Sequence, residues 1–307
     1  MTKIDLITGF LGSGKTTLLK KYAEYLIDIG ERICILEFDY GAVNVDMMLL
    51  QDFNDKCDLE MVSGGCDYEC HIRRFKTKLI AMGMKHYDRI IIEPSGIFDP
   101  VELFDVLNEE PLGSWYEMGS IISVVDPTNF ELSMQSKGIL ATQLSYAGLI
   151  YLSKCQKISK SKINEFTRTI QGLVGQFGLY IDDNKILSTP IDDLSELDYQ
   201  RIKQSSYEEI GAKMPNIMLD NSFNSVYVLD KNLSIDKVNK ISKKLFNDPS
   251  YGEVLRVKGF IKENDKWYEY NKTRFENNVT EIENGQDVII IIGENLNENA
   301  INGLFIN

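Results

Sequence analysis

An excess of positive charge, a long apolar run and a regular cysteine pattern are all missing from this chain of 307 residues. Lys and Arg total 33 against 46 Asp and Glu, a formal net charge of −13. Binding to nucleic acid or to an acidic membrane surface needs a basic face to neutralise phosphates, so neither kind of partner is expected. The negative charge itself reads as solubility. No apolar run reaches the roughly 18 residues of a membrane span, so none is expected. The five cysteines are unevenly spaced and odd in number, which argues against a disulfide scaffold and for reduced thiols. The chain enters Lys3-Ile4-Asp5-Leu6-Ile7 at once, leaving no room for a signal peptide, and a cytoplasmic location is the expectation. Low-complexity tracts and internal repeats are absent too. The length suits one large or two medium domains and buries a substantial core.

What is present begins with Gly9-Phe10-Leu11-Gly12-Ser13-Gly14-Lys15-Thr16. It matches the phosphate-binding pattern G-x-x-x-x-G-K-[ST]. An apolar strand-like run precedes it and an amphipathic pattern, residues 17–26, follows it. In that setting the glycines let backbone N–H groups curl round phosphate oxygens, and the helix start adds its partial positive charge. Gly9, Gly12, Ser13, Gly14, Lys15, Thr16 and Thr17 are thus the expected nucleotide-binding residues, Lys15 reaching the outer phosphates and the Thr16 hydroxyl ligating Mg2+.

Strand-like runs at 3–8, 32–38, 88–93, 120–125 and 149–153 alternate with helical stretches such as 72–85, 100–107 and 158–175. Continuous apolar strands separated by helices predict an α/β fold of the P-loop NTPase kind, a mainly parallel sheet flanked by helices. From about residue 215 the pattern changes. Strands at 222–230, 252–261, 266–270, 274–279 and 287–292, with helices at 234–246 and 297–304, predict a smaller α+β domain. The expected domains are residues 1–195 and 215–307, with the polar segment 192–206 as the boundary region.

Holding Mg2+ beside a P-loop takes an acid at the end of a neighbouring strand. Arg89-Ile90-Ile91-Ile92-Glu93-Pro94-Ser95-Gly96 supplies Glu93, and Gly96 offers a backbone N–H to the terminal phosphate. Asp39 and Asp46 follow the second strand, where a switch loop carries further acids toward the metal. Lys15, Glu93 and Asp39 are the residues expected to serve hydrolysis, and Thr16, Asp39, Asp46 and Glu93 the magnesium set.

Taken together, the P-loop with Thr17, Asp39-Tyr40-Gly41 with Val45-Asp46, Glu93-Pro94-Ser95-Gly96-Ile97-Phe98-Asp99-Pro100 and Val124-Val125-Asp126 resemble the CobW-type GTPases, relatives of the UreG and HypB metallochaperones. Leu255-Arg256-Val257-Lys258-Gly259 and Ile290-Ile291-Ile292-Gly293 resemble that family's C-terminal domain. The resemblance implies a slow GTPase that helps insert or traffic a metal or metal cofactor, with nucleotide-dependent contact to a client metalloprotein or between two subunits.

Two stretches depart from the family. Its Cys-x-Cys-Cys metal motif is replaced here by Gly65-Cys66-Asp67-Tyr68-Glu69-Cys70-His71. Cys66 and Cys70, four apart, would share one face of a helix, and Glu60 or His71 would complete a site for Zn2+ or another transition metal. The alternative is a pair of reduced thiols. Cys34 reads as core, Cys57 as a weak extra ligand and His86 as a surface or helix-end residue. The family's Asn-Lys-x-Asp guanine motif is replaced by Ser153-Lys154-Cys155-Gln156. Ser153, Lys154 and Gln156 are still the expected base-binding residues, but Gln156 carries no charge, which leaves GTP and ATP both open.

Three functions compete: a nucleotide-hydrolysing metal or cofactor deliverer, a nucleotide-switched activator of a metalloenzyme (a corrinoid protein, for instance) without metal cargo, and a small-molecule kinase. No acceptor-substrate motif supports the third.

Overall fold

The computed structural model describes residues 1–39, 46–64, 68–128, 134–207 and 223–305. The chain divides into two compact units, Met1–Ile217 and Met218–Asn307.

Among the described residues the first unit holds seven strands: β1 (Thr2–Thr8), β2 (Ile33–Asp39), β3 (Asp58–Ser63), β4 (Arg89–Pro94), β5 (Tyr116–Val125), β6 (Leu149–Leu152) and β7 (Ile186–Leu187). They lie in the order β3-β2-β4-β1-β5-β6-β7, every neighbour parallel. Burial on both faces explains the continuous apolar runs: all of β4 is buried, and β2 is buried except at its last residue. The helices are α1 (Lys15–Asp28), α2 (Asp46–Leu49), α3 (Tyr68–Gly83), α4 (Pro100–Leu107), α5 (Leu112–Trp115), α6 (Met134–Tyr146), α7 (Lys160–Gly175) and α8 (Glu196–Lys203). On α1 the residues Leu18, Leu19, Tyr22, Ala23 and Leu26 form one stripe, packed with Ile7, Ile35 and Ile91. The opposite sheet face packs Phe38, Ile90 and Ile92 with Phe75 of α3 and Leu103 of α4. The expected α/β fold with a parallel sheet is therefore the observed one.

From β1 the sheet extends both ways, through β4 on one side and β5 on the other. In such open sheets ligands bind outside the carboxyl ends of the strands, at the point where the strand order reverses. The glycine-rich loop after β1 stands there.

Several elements escape the reading from apolar runs, β3 and α6 among them. β3, the edge strand, alternates Asp58, Glu60 and Val62 with Leu59, Met61 and Ser63, so it has no continuous apolar core. In α6 the buried set includes Ser136, Thr142, Gln143 and Ser145 beside Leu140 and Leu144, so burial extends round the helix and no stripe shows. The polar segment 192–206 carries α8, opened by a capping box between Ser195 and Asp198. Its Ile202 is fully buried, and Ile121 of β5 donates to Ser205 O at 2.9 Å.

The second unit is an antiparallel sheet of β8 (Phe223–Leu229), β9 (Glu253–Glu263), β10 (Lys266–Lys272), β11 (Asn277–Ile282) and β12 (Val288–Glu294), ordered β11-β10-β9-β12-β8. Helices α9 (Ile235–Asn247) and α10 (Glu298–Gly303) cover one face, Val238, Leu245 and Ile301 packing on Val257, Ile261, Ile289 and Ile291. A tight turn at Asn264-Asp265, with φ of +52° and +61°, joins β9 to β10. Asn and Asp tolerate that left-handed backbone, whose twist suits two-residue hairpins.

Candidate functional site

The loop from Gly9 to Gly14 is shaped by backbone that side chains do not fit. Gly9, Gly12 and Gly14 have φ of +145°, +76° and +98°. A Cβ on Gly9 would lie 2.2 Å from Val124 O and 2.8 Å from Ser13 Oγ. Gly14 turns the chain into α1, whose first-turn N–H groups lack intrahelical acceptors and carry the positive end of the helix dipole. Ser13 and Lys15 are buried, Thr16 is half-buried and Thr17 exposed. The Lys15 Nζ folds back and donates to Gly9 O at 3.2 Å. Together these make a cradle for a polyphosphate.

Acids meet this cradle from the adjacent strands. Thr16 Oγ1 donates to Glu93 Oε1 at 2.9 Å, and Glu93 is 5% exposed at the end of β4. Glu37, 2% exposed on β2, is the register partner of Glu93 and shares its sheet face, the one α1 covers. Asp39 ends β2, half-buried, and Asp46 opens α2; residues 40–45 between them lie outside the described residues. Gly96 rests on the P-loop, since a Cβ there would fall 2.7 Å from Leu11 N. The turn holding Gly96 is fixed at both ends. Ser95 N donates to Phe38 O at 2.8 Å, and Gln143 Nε2 donates to Gly96 O at 3.2 Å and Phe98 O at 3.1 Å.

The other rim comes from β5 and β6. Ser153 is buried, its hydroxyl donating to Val125 O at 3.3 Å. Lys154, with φ of +55°, donates from Nζ to Asp126 Oδ2 at 2.6 Å and to the P-loop at Gly12 O at 3.4 Å. Asp126 also accepts from Thr128 N and Oγ1, at 2.8 and 2.6 Å. Gln156 is exposed on the single turn Cys155–Lys157.

The structure thus brings Lys15, Thr16, Glu93 and Gly96 together on one side and Ser153 and Lys154 on the other. Glu37, Asp126 and Gln143 were not singled out from sequence as site residues. Asp126 carried a usable signal, an acid at the end of an apolar strand, the same signal that marks Glu93; Glu37 lies inside β2 and did not. Gln143 carried none.

Cys66 lies outside the described residues, and Cys70 is half-buried in the first turn of α3. Glu60 does not complete a metal site among the described residues. It pairs across from Leu36, on the sheet face away from Glu37 and Glu93, where Lys78 and Lys85 reach it at 2.9 and 3.0 Å. Although partial burial opposes it, those ammonium groups hold its carboxyl below the usual range. His71 is 1% exposed, its ring tilted against Phe38 at 4.4 Å with Nδ1 3.0 Å from Gly64 O, and burial lowers its pKa. Burial pushes the thiol of Cys34 up to about 12 and that of Cys57 to about 11. His86 has φ of +54° and is exposed beyond α3. Among the described residues no group of three or more His, Cys, Asp and Glu is placed to hold a metal ion.

No helix among the described residues is long and apolar enough to cross a membrane. Residues 3–177 match the family described as CobW/HypB/UreG, nucleotide-binding domain. The zinc chaperone YjiA of Escherichia coli is 29% identical over 158 residues, 49% of this chain and 48% of YjiA. The zinc chaperone YeiR of the same organism is 28% identical over 208 residues, 64% of this chain and 61% of YeiR. The zinc-regulated GTPase metalloprotein activator 1 of Dictyostelium discoideum is 25% identical over 309 residues, 84% of this chain and 62% of that protein. The matched segments therefore span from about half to just over three fifths of these relatives. A crystal structure of Zn(II)-bound YjiA GTPase aligns over 99% of this chain and 98% of its own at 22% identity, with a TM-score of 0.45. With a glycine-rich cradle at the strand reversal, an acid bonded to the P-loop threonine and a family match across more than half its length, the chain belongs to the CobW/HypB/UreG family.

Proposed function

We propose that this chain binds and slowly hydrolyses GTP, or ATP, with Mg2+, and that the nucleotide state governs delivery of a metal or metal cofactor to a client metalloprotein. The hydrogen bond from Thr16 to Glu93 is the observation that carries the reading. It joins the P-loop hydroxyl to a buried acid at the place where a P-loop protein holds its metal. Thr16 and Glu93, with Asp39 and Asp46, are the residues that would hold Mg2+, which when bound neutralises charge on the outer phosphate oxygens.

Lys15 lies on a backbone carbonyl that a phosphate oxygen would replace as acceptor. Gly12, Ser13, Gly14 and Thr17 surround the phosphates, and the Gly96 N–H serves the terminal one. Ser153, Lys154 and Gln156 face the base. Lys154 is held over the P-loop by Asp126, which supports a role beside the nucleotide. Catalysis in such a site is positioning and charge neutralisation, so turnover is slow without a partner.

The names of the relatives support zinc as cargo, and Cys66 and Cys70 are its proposed ligands. Nucleotide-dependent homodimerisation and a cytoplasmic location belong to the same reading. The engagement of Glu60 by Lys78 and Lys85 favours a second reading, a nucleotide-switched activator that recognises its client without carrying metal. Zn2+ and Co2+ affinity of the reduced chain, with and without Mg–GTP, tests the two against each other. Tight binding that shifts with nucleotide and vanishes in the Cys66→Ser/Cys70→Ser variant supports delivery. Weak binding, indifferent to both, supports the activator.

A further inference from the structure

The edge of the seven-stranded sheet carries a groove that the nucleotide site does not use. β3 ends the sheet and is paired, among the described residues, with β2 alone. Between β3 and α3 runs a groove of about 510 Å3, with Met61, Val62 and Ser63 on one wall and Arg73, Arg74 and Thr77 on the other. Met61, the register partner of Glu37, is 39% exposed at this strand edge.

The charge of this place opposes that of the molecule. The chain carries −13, yet α3 sets Arg73, Arg74, Lys76 and Lys78 against the single acid Glu69. Lys78 is paired with Glu60 and Lys76 with Glu109. Arg73 and Arg74 stand exposed at the groove, Arg74 donating to Ser63 O at 2.9 Å through one of its five N–H donors.

An edge strand presents a row of N–H and C=O groups along its outer side, a template for an incoming strand. Side chains of such a strand alternate, so one set meets the apolar wall and the other the cationic rim. We propose that this groove receives an extended acidic segment of a partner protein, added to β3 as a further strand. A polyanion without a peptide backbone gains nothing from the strand edge, whose N–H and C=O groups need an incoming strand. The proposal stands apart from the nucleotide reading, since none of these residues lines the P-loop.

A displayed library of random peptides about twelve residues long, selected on the full chain and counter-selected on an Arg73→Glu/Arg74→Glu variant, tests it. Enriched peptides are expected to alternate acidic with apolar residues and to bind the parent at least tenfold tighter than the variant. They should weaken as salt rises and slow hydrogen exchange at the amides of residues 59–63. Equal Mg–nucleotide binding by parent and variant shows that the variant is folded, and the exchange measurement needs no variant. Failure to enrich any peptide, equal binding to the variant, or protection elsewhere overturns the proposal. So does displacement of the peptides by a single-stranded oligonucleotide, which would give the groove to nucleic acid.

Discussion

Thr16 and Glu93, 77 residues apart, are joined by a 2.9 Å hydrogen bond in which the hydroxyl donates to the carboxylate. The bond ties the first turn of α1 to the end of β4. It sets the spacing between the phosphate cradle and the acid that faces it.

Replacing Glu93 by Gln keeps the shape and an acceptor for Thr16 but removes the negative charge. Nucleotide affinity is expected to fall about tenfold or more in Mg2+, because a charge-assisted contact is lost, and to change little in EDTA. Titration calorimetry under both conditions checks this. Equal losses with and without the metal would remove Glu93 from the magnesium set. Lys15→Ala, by contrast, is expected to lose tight binding under either condition.

Gln156 stands where GTPases resembling this chain place an aspartate. Its amide offers no charge to the ring N–H and exocyclic amine of guanine. Gln156→Asp is expected to raise GTP over ATP by tenfold or more, the equivalent of about 1.5–3 kcal/mol. Competition of the two nucleotides against a fluorescent analogue measures it. An unchanged ratio would mean that another group reads the base.

The P-loop was legible because its demands are local. Gly9 fits no side chain beside Val124 O, and that constraint is written in the motif itself. Buried parallel strands were legible for a similar reason, since burial on both faces makes each run apolar. Glu37 was not, because its meaning comes from the β2–β4 register that puts it beside Glu93. Nor was Gln143, which reaches Gly96 and Phe98 from a helix more than forty residues away. The ion pairs of Glu60 were hidden for the same kind of reason. One residue's step along β3 decides whether a side chain faces α3 or the opposite layer, and the two lysines lie on the α3 side.

Cysteine chemistry offers a check on burial. The thiols of Cys57 and Cys155 are raised to about 11 and that of Cys34 to about 12, burial being the first cause in each. At pH 8 a thiol with pKa near 11 is ionised in about one molecule in a thousand, and thiolate is the reactive form. Brief treatment of the native chain with iodoacetamide at pH 8, mapped by mass spectrometry, is expected to leave Cys34, Cys57 and Cys155 unmodified. Rapid labelling of any of the three would show that its surroundings open in solution.

Far from the cradle, Arg89 and Asp5 form a buried pair, 4% and 0% exposed at their side chains. Arg89 Nη1 donates to both carboxylate oxygens, at 2.6 and 2.7 Å, while Tyr22 OH and Ser120 N donate at 2.8 and 2.7 Å. Glu31 holds the other side of the guanidinium at 3.1 Å. Four strands and helices meet at this one carboxylate, and Gly119 beside it has no room for a side chain, since a Cβ would lie 2.2 Å from Asp5 Oδ1. Arg89→Leu therefore strands a buried charge, and the expected loss is about 3–5 kcal/mol. Adding Asp5→Asn removes that charge while keeping an acceptor for Tyr22 and Ser120, so the double variant is expected to be more stable than Arg89→Leu alone. Urea melts of the four members of the cycle measure the coupling. If the second substitution only adds to the loss, the pair acts through packing and shape rather than through charge.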